Sequence, residues 1–256
     1  MRRKAAIICS ALVGGMLLGQ SATAADVVSS LGAGIGMGPD YEGSDNYTLV
    51  PLLYGQIGWG NGQYVALEGN QLRWNMGNNQ IEFGPLLQYR PKRGNVDDNR
   101  VDDLQNIDAA AEAGMFITGR SGPWSATAEF AADISDTYNG YLITLIGRYQ
   151  TQTTDELTTT FKISSTYASG NYMETYFQID NGNRHGSSLH NYKADRGQLK
   201  DIGLAMVNDY RINRNWSIMG NIGYKYLLGD AADSPIVERA GSEGQFYLGA
   251  MGVYHF

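Results

Sequence analysis

Two glutamates on either side of a turn sequence could carry out acid–base chemistry. Glu112 and Glu129 flank Arg120-Ser121, so a hairpin turning there would place them opposite one another on the same face. Two carboxylates that close are the pattern of acid–base catalysis, with the pKa of one of them raised. Basic residues on the same kind of face in neighbouring segments would neutralise such a pair. We therefore interpret five side chains as a charge network that faces the polar interior of a β-barrel: Glu112, Glu129, Asp133, Arg148 and Lys162.

Other catalytic or metal-binding patterns are weak. The histidines are His185, His190 and His255, and neither a G-x-S-x-G motif nor a zinc-type spacing accompanies them. Asp97-Asp98-Asn99 resembles half of a calcium loop but lacks the glycine and the terminal glutamate of that motif. The sequence thus predicts no catalytic residue, no metal site and no cofactor, and favours a protein that is not an enzyme.

The elements that would position these charges alternate with period two. In the last segment, Phe246, Leu248 and Tyr254 fall on one face while Gln245 and Tyr247 fall on the other. Such alternation also occurs in soluble β-sandwiches. The segments here run longer than the ~5–6 residues of globular strands, and aromatic residues cluster at their ends, as in the girdles of a membrane barrel. We predict an all-β, antiparallel, up-and-down transmembrane barrel.

The turn residues divide the chain into twelve predicted strands, with ten as the alternative count. A phase switch at Gly69-Asn70 is interpreted as a bulge within one strand. The predicted strands are 30–38, 47–58, 63–75, 79–91, 106–119, 123–134, 140–150, 156–168, 171–179, 198–212, 214–227 and 243–256.

The strand count orients the loops. Both ends of an even-numbered barrel face the periplasm, which places the long segments 180–197 and 228–242 outside the cell. The same parity places the acidic stretch 92–105 on the periplasmic side, where turns are usually short. We predict that this stretch is a docking loop whose aspartates attract a basic partner surface. These aspartates are Asp97, Asp98, Asp102 and Asp103.

The first 24 residues predict a cleavable secretory signal. Arg2, Arg3 and Lys4 precede an apolar stretch, and Ala22-Thr23-Ala24 supplies small residues for cleavage. The barrel domain would then comprise residues 25–256. Without the signal, 16 basic residues face 26 acidic ones, which argues against a nucleic-acid partner. The one cysteine, Cys9, lies in the signal, so no disulfide is expected. We predict export to the outer membrane, with its lipid as the immediate partner.

Three aromatic residues of the last segment are typical of a barrel assembly signal. Phe246, Tyr254 and the terminal Phe256 share one face of the final predicted strand. We expect the outer-membrane assembly machinery to recognise them.

Two stretches resemble the MipA/OmpV family, which is named for an outer-membrane protein that interacts with the lytic transglycosylase MltA. One is Gly38 to Asp45, followed by Pro51-Leu52. The other is Tyr226 to Val237, followed by Gly241, Gln245 and the ending Tyr254-His255-Phe256. The resemblance implies a non-enzymatic scaffold that brings a murein hydrolase and a murein synthase together in peptidoglycan remodelling. The alternatives are a small-solute channel and, third, an outer-membrane hydrolase.

Overall fold

The computed structural model describes residues 28–256, so the predicted signal over residues 1–24 lies outside the described part of the chain. Most of the described residues belong to strands. The strands are β1 (Val28–Pro39), β2 (Tyr47–Gly58), β3 (Tyr64–Glu68), β4 (Gln71–Asn75), β5 (Ile81–Arg90), β6 (Ala110–Ser121), β7 (Trp124–Asp133), β8 (Tyr141–Gln152), β9 (Leu157–Ala168), β10 (Gln198–Arg211), β11 (Trp216–Leu227) and β12 (Gly244–His255).

These strands form a closed antiparallel barrel. Each strand pairs with its neighbours in sequence, and β12 pairs with β1 to close the ring, with Ser30 opposite His255 and Met37 opposite Leu248. Closure leaves no free edge around the ring as a whole, which is what a sheet needs in order to cross a bilayer. The predicted fold class is confirmed, and the twelve-strand count is correct.

Side chains alternate between an apolar outer face and a polar lumen. Leu31 and Ile35 of β1 are exposed at 62% and 67% on the outside, whereas Arg73 and Glu112 are buried within the barrel. Such exposed apolar side chains are normal for a wall that contacts lipid. No helix among residues 28–256 is long and apolar enough to cross a membrane.

Aromatic pairs lie at both ends of the outer wall. At the end where the chain terminates, Tyr254 contacts Trp216 at 5.1 Å and Phe256 at 4.9 Å between ring centroids. At the other end, Tyr224 and Phe246 lie 4.8 Å apart. These two groups are placed as the girdles of a membrane barrel are.

The interpretation of Gly69-Asn70 as a bulge is wrong, because the chain reverses there. Glu68 pairs with Gln71, so Gly69 and Asn70 form a two-residue hairpin turn between the short strands β3 and β4. Gly69 has φ +62°, a conformation that glycine adopts without steric cost and that tight hairpin turns require. The predicted strand 63–75 is therefore two strands.

The predicted strand 171–179 is also wrong. It contains helix α2 (Gly170–Phe177), whose first turn is capped by the Ser169 hydroxyl, which accepts a hydrogen bond from the Tyr172 N–H. The buried residues of the helix recur at helical spacing, in two pairs four residues apart: Tyr172, Met173, Tyr176 and Phe177. Aromatic content favoured a strand, but tertiary packing of one helical face decided the outcome.

The two errors leave the number of strands at twelve, but they change the end of the barrel at which segment 92–105 lies. The hairpin β3–β4 adds a crossing before segment 92–105, so this segment lies at the same end of the barrel as 180–197 and 228–242. Direct contacts show this: Arg100 donates to the carbonyl of Arg239 at 2.8 Å, and the Ser187 hydroxyl donates to the carbonyl of Arg100. The prediction that Asp97, Asp98, Asp102 and Asp103 lie at the barrel end opposite 180–197 and 228–242 is therefore wrong.

The long loops pack together over one end of the barrel, and we refer to them as the cap. They are residues 40–46, 91–109, 134–140, 169–197 and 228–243, and they include α1 (Asn99–Asp102), α2, α3 (Gly229–Ala232) and α4 (Pro235–Glu238). Among residues 28–256, the connections at the opposite end, the turn end, are all short: 59–63, 76–80, 122–123, 153–156 and 212–215.

The cap has a hydrophobic core of its own. Phe177 of α2 and Val237 of α4 are fully buried in one cluster, and Ile236 and Tyr41 are buried in a second. The Tyr41 hydroxyl donates to the carbonyl of Ala240 at 2.7 Å, which ties loop 40–46 to loop 228–243. Side chains from loops far apart in sequence thus form a packed layer across the barrel mouth.

Candidate functional site

A β-bulge in β10 turns two consecutive side chains into the lumen below the cap. The register with β9 shifts between Leu199 and Asp201, so Lys200 and Asp201 are both buried. The Lys200 ammonium lies 2.6 Å from a carboxylate oxygen of Asp201 and also contacts the Glu42 carboxylate. A buried cation is tolerated only when it is paired in this way.

From Glu42 the contacts continue across the lumen. The Tyr172 hydroxyl of α2 donates to the second Glu42 oxygen at 2.6 Å and accepts from the Arg90 guanidinium at 3.1 Å. Arg90 also donates to Glu112 at 2.6 Å. Since β5 and β10 lie five strands apart in the ring of twelve, these contacts nearly span the barrel. We call Lys200, Glu42, Tyr172, Arg90 and Glu112 the bridge.

The protonation states of the bridge follow from its charges. Burial raises the pKa of Glu42, but the positive charges of Lys200, Lys225 and Arg90 outweigh it and lower the pKa to about 2. Burial raises the pKa of Tyr172 well above its usual value. Glu42 is therefore a carboxylate and Tyr172 a neutral phenol, so the phenol donates to the carboxylate at any ordinary pH.

A second charge contact lies deeper in the lumen. Arg73 of β4 donates to Glu129 of β7 at 2.8 Å, and Gln71 donates to the other Glu129 oxygen at 3.3 Å. The Arg73 guanidinium also lies 5.0 Å from the centre of the Phe116 ring. Because β4 and β7 are three strands apart, this contact joins separate parts of the wall.

The structure does not place Glu112 and Glu129 opposite one another. Glu112 is in register with Asp133, and Glu129 with Phe116. The hairpin turns at Gly122-Pro123 rather than near Arg120-Ser121, and Gly122 has φ +57° in that turn. Moving the turn by two residues moves the pairing by four, from Glu129 to Asp133 opposite Glu112, so both glutamates stay on the inner face but lie apart. Each glutamate forms an ion pair with a different arginine, Glu112 with Arg90 and Glu129 with Arg73. A carboxylate pair for acid–base catalysis is not formed.

The other three residues of the predicted network have different surroundings. Asp133 accepts from the backbone N–H groups of Tyr138 and Asn139, at 2.6 and 2.9 Å, and so shapes loop 134–140. Arg148 and Lys162 are directly paired across β8 and β9. Within residues 28–256 neither of these two cations has a carboxylate within ion-pair distance.

His255 lies between two serines near the turn end. Its ring nitrogens are 2.9 Å from the Ser30 hydroxyl and 3.0 Å from the Ser217 hydroxyl. This arrangement joins β1, β12 and β11 at the seam of the barrel. A hydrolytic triad would need an acid or amide to orient the histidine, and serines occupy both nitrogens. In the described part of the chain, no three His, Cys, Asp or Glu side chains are placed to hold a metal ion.

The predicted docking aspartates belong to the cap. Asp98 caps α1 and forms an ion pair with Arg100 at 2.5 Å, whose hydrogen bond lowers the pKa of Asp98. Asp102 accepts from the backbone N–H of Val96 at 3.0 Å. These acids therefore hold the local shape of loop 91–109.

The predicted assembly residues lie on the outer surface. Phe246 is exposed at 54% and Phe256 at 74%, and the backbone N–H of Phe256 donates to the carbonyl of Ser29 at 3.0 Å. Their role in assembly stays a prediction.

The sequence reasoning missed four of the five bridge residues. Glu42 lies in a stretch that carries the family resemblance, and Arg90 lies near the end of the predicted strand 79–91. Lys200 and Tyr172 could not be identified, because strict alternation does not reveal a bulge and the helix was read as a strand. The neighbouring charges Lys200 and Asp201 within the predicted strand 198–212 were the one sequence signal of the bulge. In a regular strand, alternation would turn one of these two charges toward lipid.

Comparison with known proteins gives a family match over most of the chain. The family model described as MltA-interacting protein MipA matches residues 31–256. YiaT of Escherichia coli O157:H7, described as an outer membrane protein, is 24% identical over 229 residues, covering 86% of this chain and 87% of YiaT. YiaT of Escherichia coli K12 matches with the same identity and coverage.

Solved structures of other outer-membrane proteins are similar at low identity. The NanC porin is 13% identical with a TM-score of 0.44, covering 89% of this chain and 99% of NanC. An outer membrane channel of Pseudomonas putida is 9% identical with a TM-score of 0.45, covering 92% of this chain and 97% of the channel.

Proposed function

Because the chain belongs to the family of the MltA-interacting protein MipA, we propose that this outer-membrane barrel is a non-enzymatic scaffold for peptidoglycan remodelling. In this proposal it binds a lytic transglycosylase, and with it a murein synthase, at the periplasmic face of the outer membrane. The family match carries the proposal, and two features of the structure support it.

The first supporting feature is the closed mouth. The bridge nearly spans the lumen from β5 to β10, and the cap packs its own hydrophobic core above the bridge. Breaking a buried ion pair is costly, about 3–5 kcal/mol, because it leaves an unpaired charge. A barrel closed in this way is better suited to holding a partner than to passing solutes.

The second supporting feature is the turn end, which faces the periplasm in a barrel of this type. Its turns are rigid: the Asn75 side chain donates to the carbonyl of Gly62 at 2.8 Å, and the Gln63 side chain donates to the carbonyl of Met76 at 3.0 Å. These bonds join turns 59–63 and 76–80 into one surface. A preorganised surface loses little entropy when a partner binds.

Exposed charges of both signs lie on two neighbouring turns at this end, and they are the docking surface that we propose. Turn 153–156 precedes β9 and turn 212–215 follows β10, and the N–H of Arg211 donates to the carbonyl of Glu156 at 2.8 Å. The charged residues of this turn-end group are Asp155, Glu156, Arg211 and Arg214.

The test replaces all four turn-end charges with serine and measures co-purification of the transglycosylase from crosslinked envelopes. The matched control replaces Asp97, Asp98, Asp102 and Asp103, at the other end of the barrel, with serine. We expect the turn-end variant to lose most of the partner and the control to retain it.

Two outcomes would count against the proposal. Equal retention by both folded variants would exclude the turn-end charges as the docking surface. Absence of a transglycosylase from the wild-type pull-down would remove the scaffold function itself. Protease added to intact cells should cleave cap loops only, and cleavage at 153–156 would show that the barrel is inverted.

A small-solute channel is the second candidate, and one observation favours it. Arg148 and Lys162 form a like-charge cross-strand pair with no carboxylate of residues 28–256 within ion-pair distance, and like charges directly opposite one another are destabilising unless water or a mobile anion screens them. Planar-bilayer recording separates the two functions. A closed scaffold should show little steady conductance, whereas large, stable, anion-selective openings of the wild type would favour the channel.

A further inference from the structure

A cavity of about 220 Å³ lies between the cap and the top of the lumen. One flank is formed by the residues after β1, Pro39 to Glu42, and the other by the residues at the end of β5, Arg90 to Arg93. Lys225 and Tyr247 contribute from β11 and β12, and Tyr172 and Tyr176 from α2. Four cations and four tyrosines thus surround this space.

Positive charge in the cavity exceeds the negative charge available to it. The two lining carboxylates are engaged: Glu42 binds Lys200 and Tyr172, and Asp40 accepts from the backbone N–H of Asp97 at 2.9 Å. Among residues 28–256, Lys92 and Arg93 have no carboxylate within ion-pair distance. Lys225 reaches only Asp201, at 3.6 Å, and Asp201 is held more closely by Lys200.

Arg93 is the most constrained of these cations. It is buried, and its guanidinium donates to the carbonyl of Tyr176 at 2.6 Å. Burial lowers its pKa to about 10. The guanidinium therefore stays charged at neutral pH, and a buried charge without a counterion is costly.

Two hydroxyl groups that line the cavity also lack partners. The Tyr176 side chain is 94% buried, and its hydroxyl has no hydrogen-bond partner among residues 28–256. The half-buried Tyr247 hydroxyl makes no hydrogen bond to these residues either, and its ring lies 5.9 Å from the Lys225 ammonium. Buried hydroxyls are nearly always hydrogen-bonded, so a bound acceptor would satisfy Tyr176, and Tyr247 is free to donate to the same ligand.

The cavity reaches the surface beside the end of β5. Pro91 and Lys92 both line it and are exposed.

From this geometry we propose that the cavity binds a small organic anion that carries a carboxylate or phosphate group on a sugar-sized body. Lys92, Arg93 and Lys225 supply the positive charge, and the Tyr176 and Tyr247 hydroxyls donate to the oxygens of the ligand. At about 30 Å³ per water the cavity has room for about seven waters, which matches a monosaccharide acid and excludes a polymer chain. The site is independent of the turn end and of the proposed scaffold function.

The test is calorimetric titration of the full, folded barrel in detergent with four probes: glucuronate, glucose 6-phosphate, inorganic phosphate and glucose. We expect glucuronate or glucose 6-phosphate to bind with a Kd of about 1 mM or tighter, and the binding to weaken as salt increases. Glucose, which has the same ring without the charge, should give no binding. Glucuronate and glucose 6-phosphate distinguish a carboxylate ligand from a phosphate ligand, and inorganic phosphate shows whether the sugar body is needed.

Three variants locate the binding. Lys225→Gln and Lys92→Gln should each weaken it about tenfold, as expected for the loss of one charge-assisted hydrogen bond. Tyr247→Phe should weaken it by less, since the ring is kept. Lys193→Gln is the matched control, because Lys193 is an exposed cap residue that pairs with Asp195 at 2.8 Å outside the cavity.

Several results would overturn the proposal. The first is that no anionic probe binds with a Kd of about 10 mM or tighter. The second is that glucose binds as tightly as glucuronate. The third is that Lys225→Gln and Lys92→Gln leave the affinity unchanged. Lys92 is exposed and makes no ion pair with any residue in the range 28–256, so its variant should fold. It keeps the proposal falsifiable even if the Lys225 variant does not fold.

Discussion

The cap and the turn end are built on different principles. Contacts in the cap join residues far apart in sequence, such as Tyr41 with Ala240 and Lys200 with Glu42. Contacts at the turn end are local: the Asn78 side chain accepts from the N–H groups of Gln80 and Ile81, and the Asn213 side chain accepts from those of Asn215 and Trp216. The cap is therefore a cooperative layer, whereas the turns depend on bonds within each turn and to an adjacent turn.

This difference predicts how damage spreads. Removing one buried contact in the cap should loosen several loops together, since the loops share one core. Removing one contact at the turn end should affect a single hairpin. Four changes test this contrast, from the largest expected effect on stability to the smallest.

Phe177→Ala should have the largest effect. The side chain is fully buried in the cap core, and truncation of a buried phenylalanine costs about 3–5 kcal/mol. We expect protease to cleave loops 169–197 and 228–243 much faster while the barrel stays heat-modifiable. Phe161→Ala, on the lipid-facing wall, is the control and should leave the cap protected. Unchanged protection in the Phe177 variant would show that the loops are not a cooperative layer.

Glu42→Gln should lower the stability of the cap nearly as much, because it leaves Lys200 with one carboxylate partner in place of two. We expect a cost of up to about 3 kcal/mol, faster hydrogen exchange in α2 and the appearance of conductance in planar bilayers. Asp103→Asn, an exposed cap carboxylate, is the control. A Glu42 variant as closed as the wild type would mean that the bridge does not hold the mouth shut.

The bridge also predicts a pH dependence. The pKa of Glu42 is lowered to about 2 because the positive charges of Lys200, Lys225 and Arg90 outweigh the effect of burial. A lowered carboxyl pKa contributes stability that is present above the ordinary value and is lost as the pH falls toward the lowered one. The wild-type cap should therefore stay closed at pH 4 and loosen toward pH 2. Glu42→Gln should lack this acid transition, and identical acid profiles of the two proteins would contradict the prediction.

Asn78→Ala should have a small, local effect. It removes two hydrogen bonds within turn 76–80, which together contribute about 1–2 kcal/mol. Hydrogen exchange should increase in the β4–β5 hairpin, and protease protection of the cap should not change. Spread of the effect into the cap would mean that the two ends are coupled through the wall.

Deletion of Phe256 should change the stability of the folded barrel least, because the ring is mostly exposed and contacts Tyr254. Its effect should fall on assembly, with less heat-modifiable protein reaching the outer membrane. The measurement compares folded yield in membranes with the unfolding midpoint of the purified protein. An unchanged yield would remove Phe256 from the assembly signal.

The sequence predicted the wall well because the wall follows a local rule. Alternation between lipid and lumen repeats at every second residue, so β6 to β9 and β10 to β12 were found within a few residues of their bounds. The β3–β4 hairpin was missed because its strands have only five residues each, too few for a phase change to be distinguished from a bulge. Helix α2 was missed because its buried aromatic residues also suit a strand.

The sequence by itself determined the membrane barrel, its polar lumen and its family, since all three depend on residue type and period. Only the tertiary structure decided which charges meet. Glu112 pairs with Arg90 because of the register between β5 and β6, the turn at Gly122-Pro123 places Glu112 opposite Asp133 instead of Glu129, and Lys200 enters the lumen because of a bulge. One extra strand in the β3–β4 hairpin decided at which end of the barrel loop 91–109 lies. Such choices are made by long-range pairing and packing, which leave little trace in any short stretch of sequence.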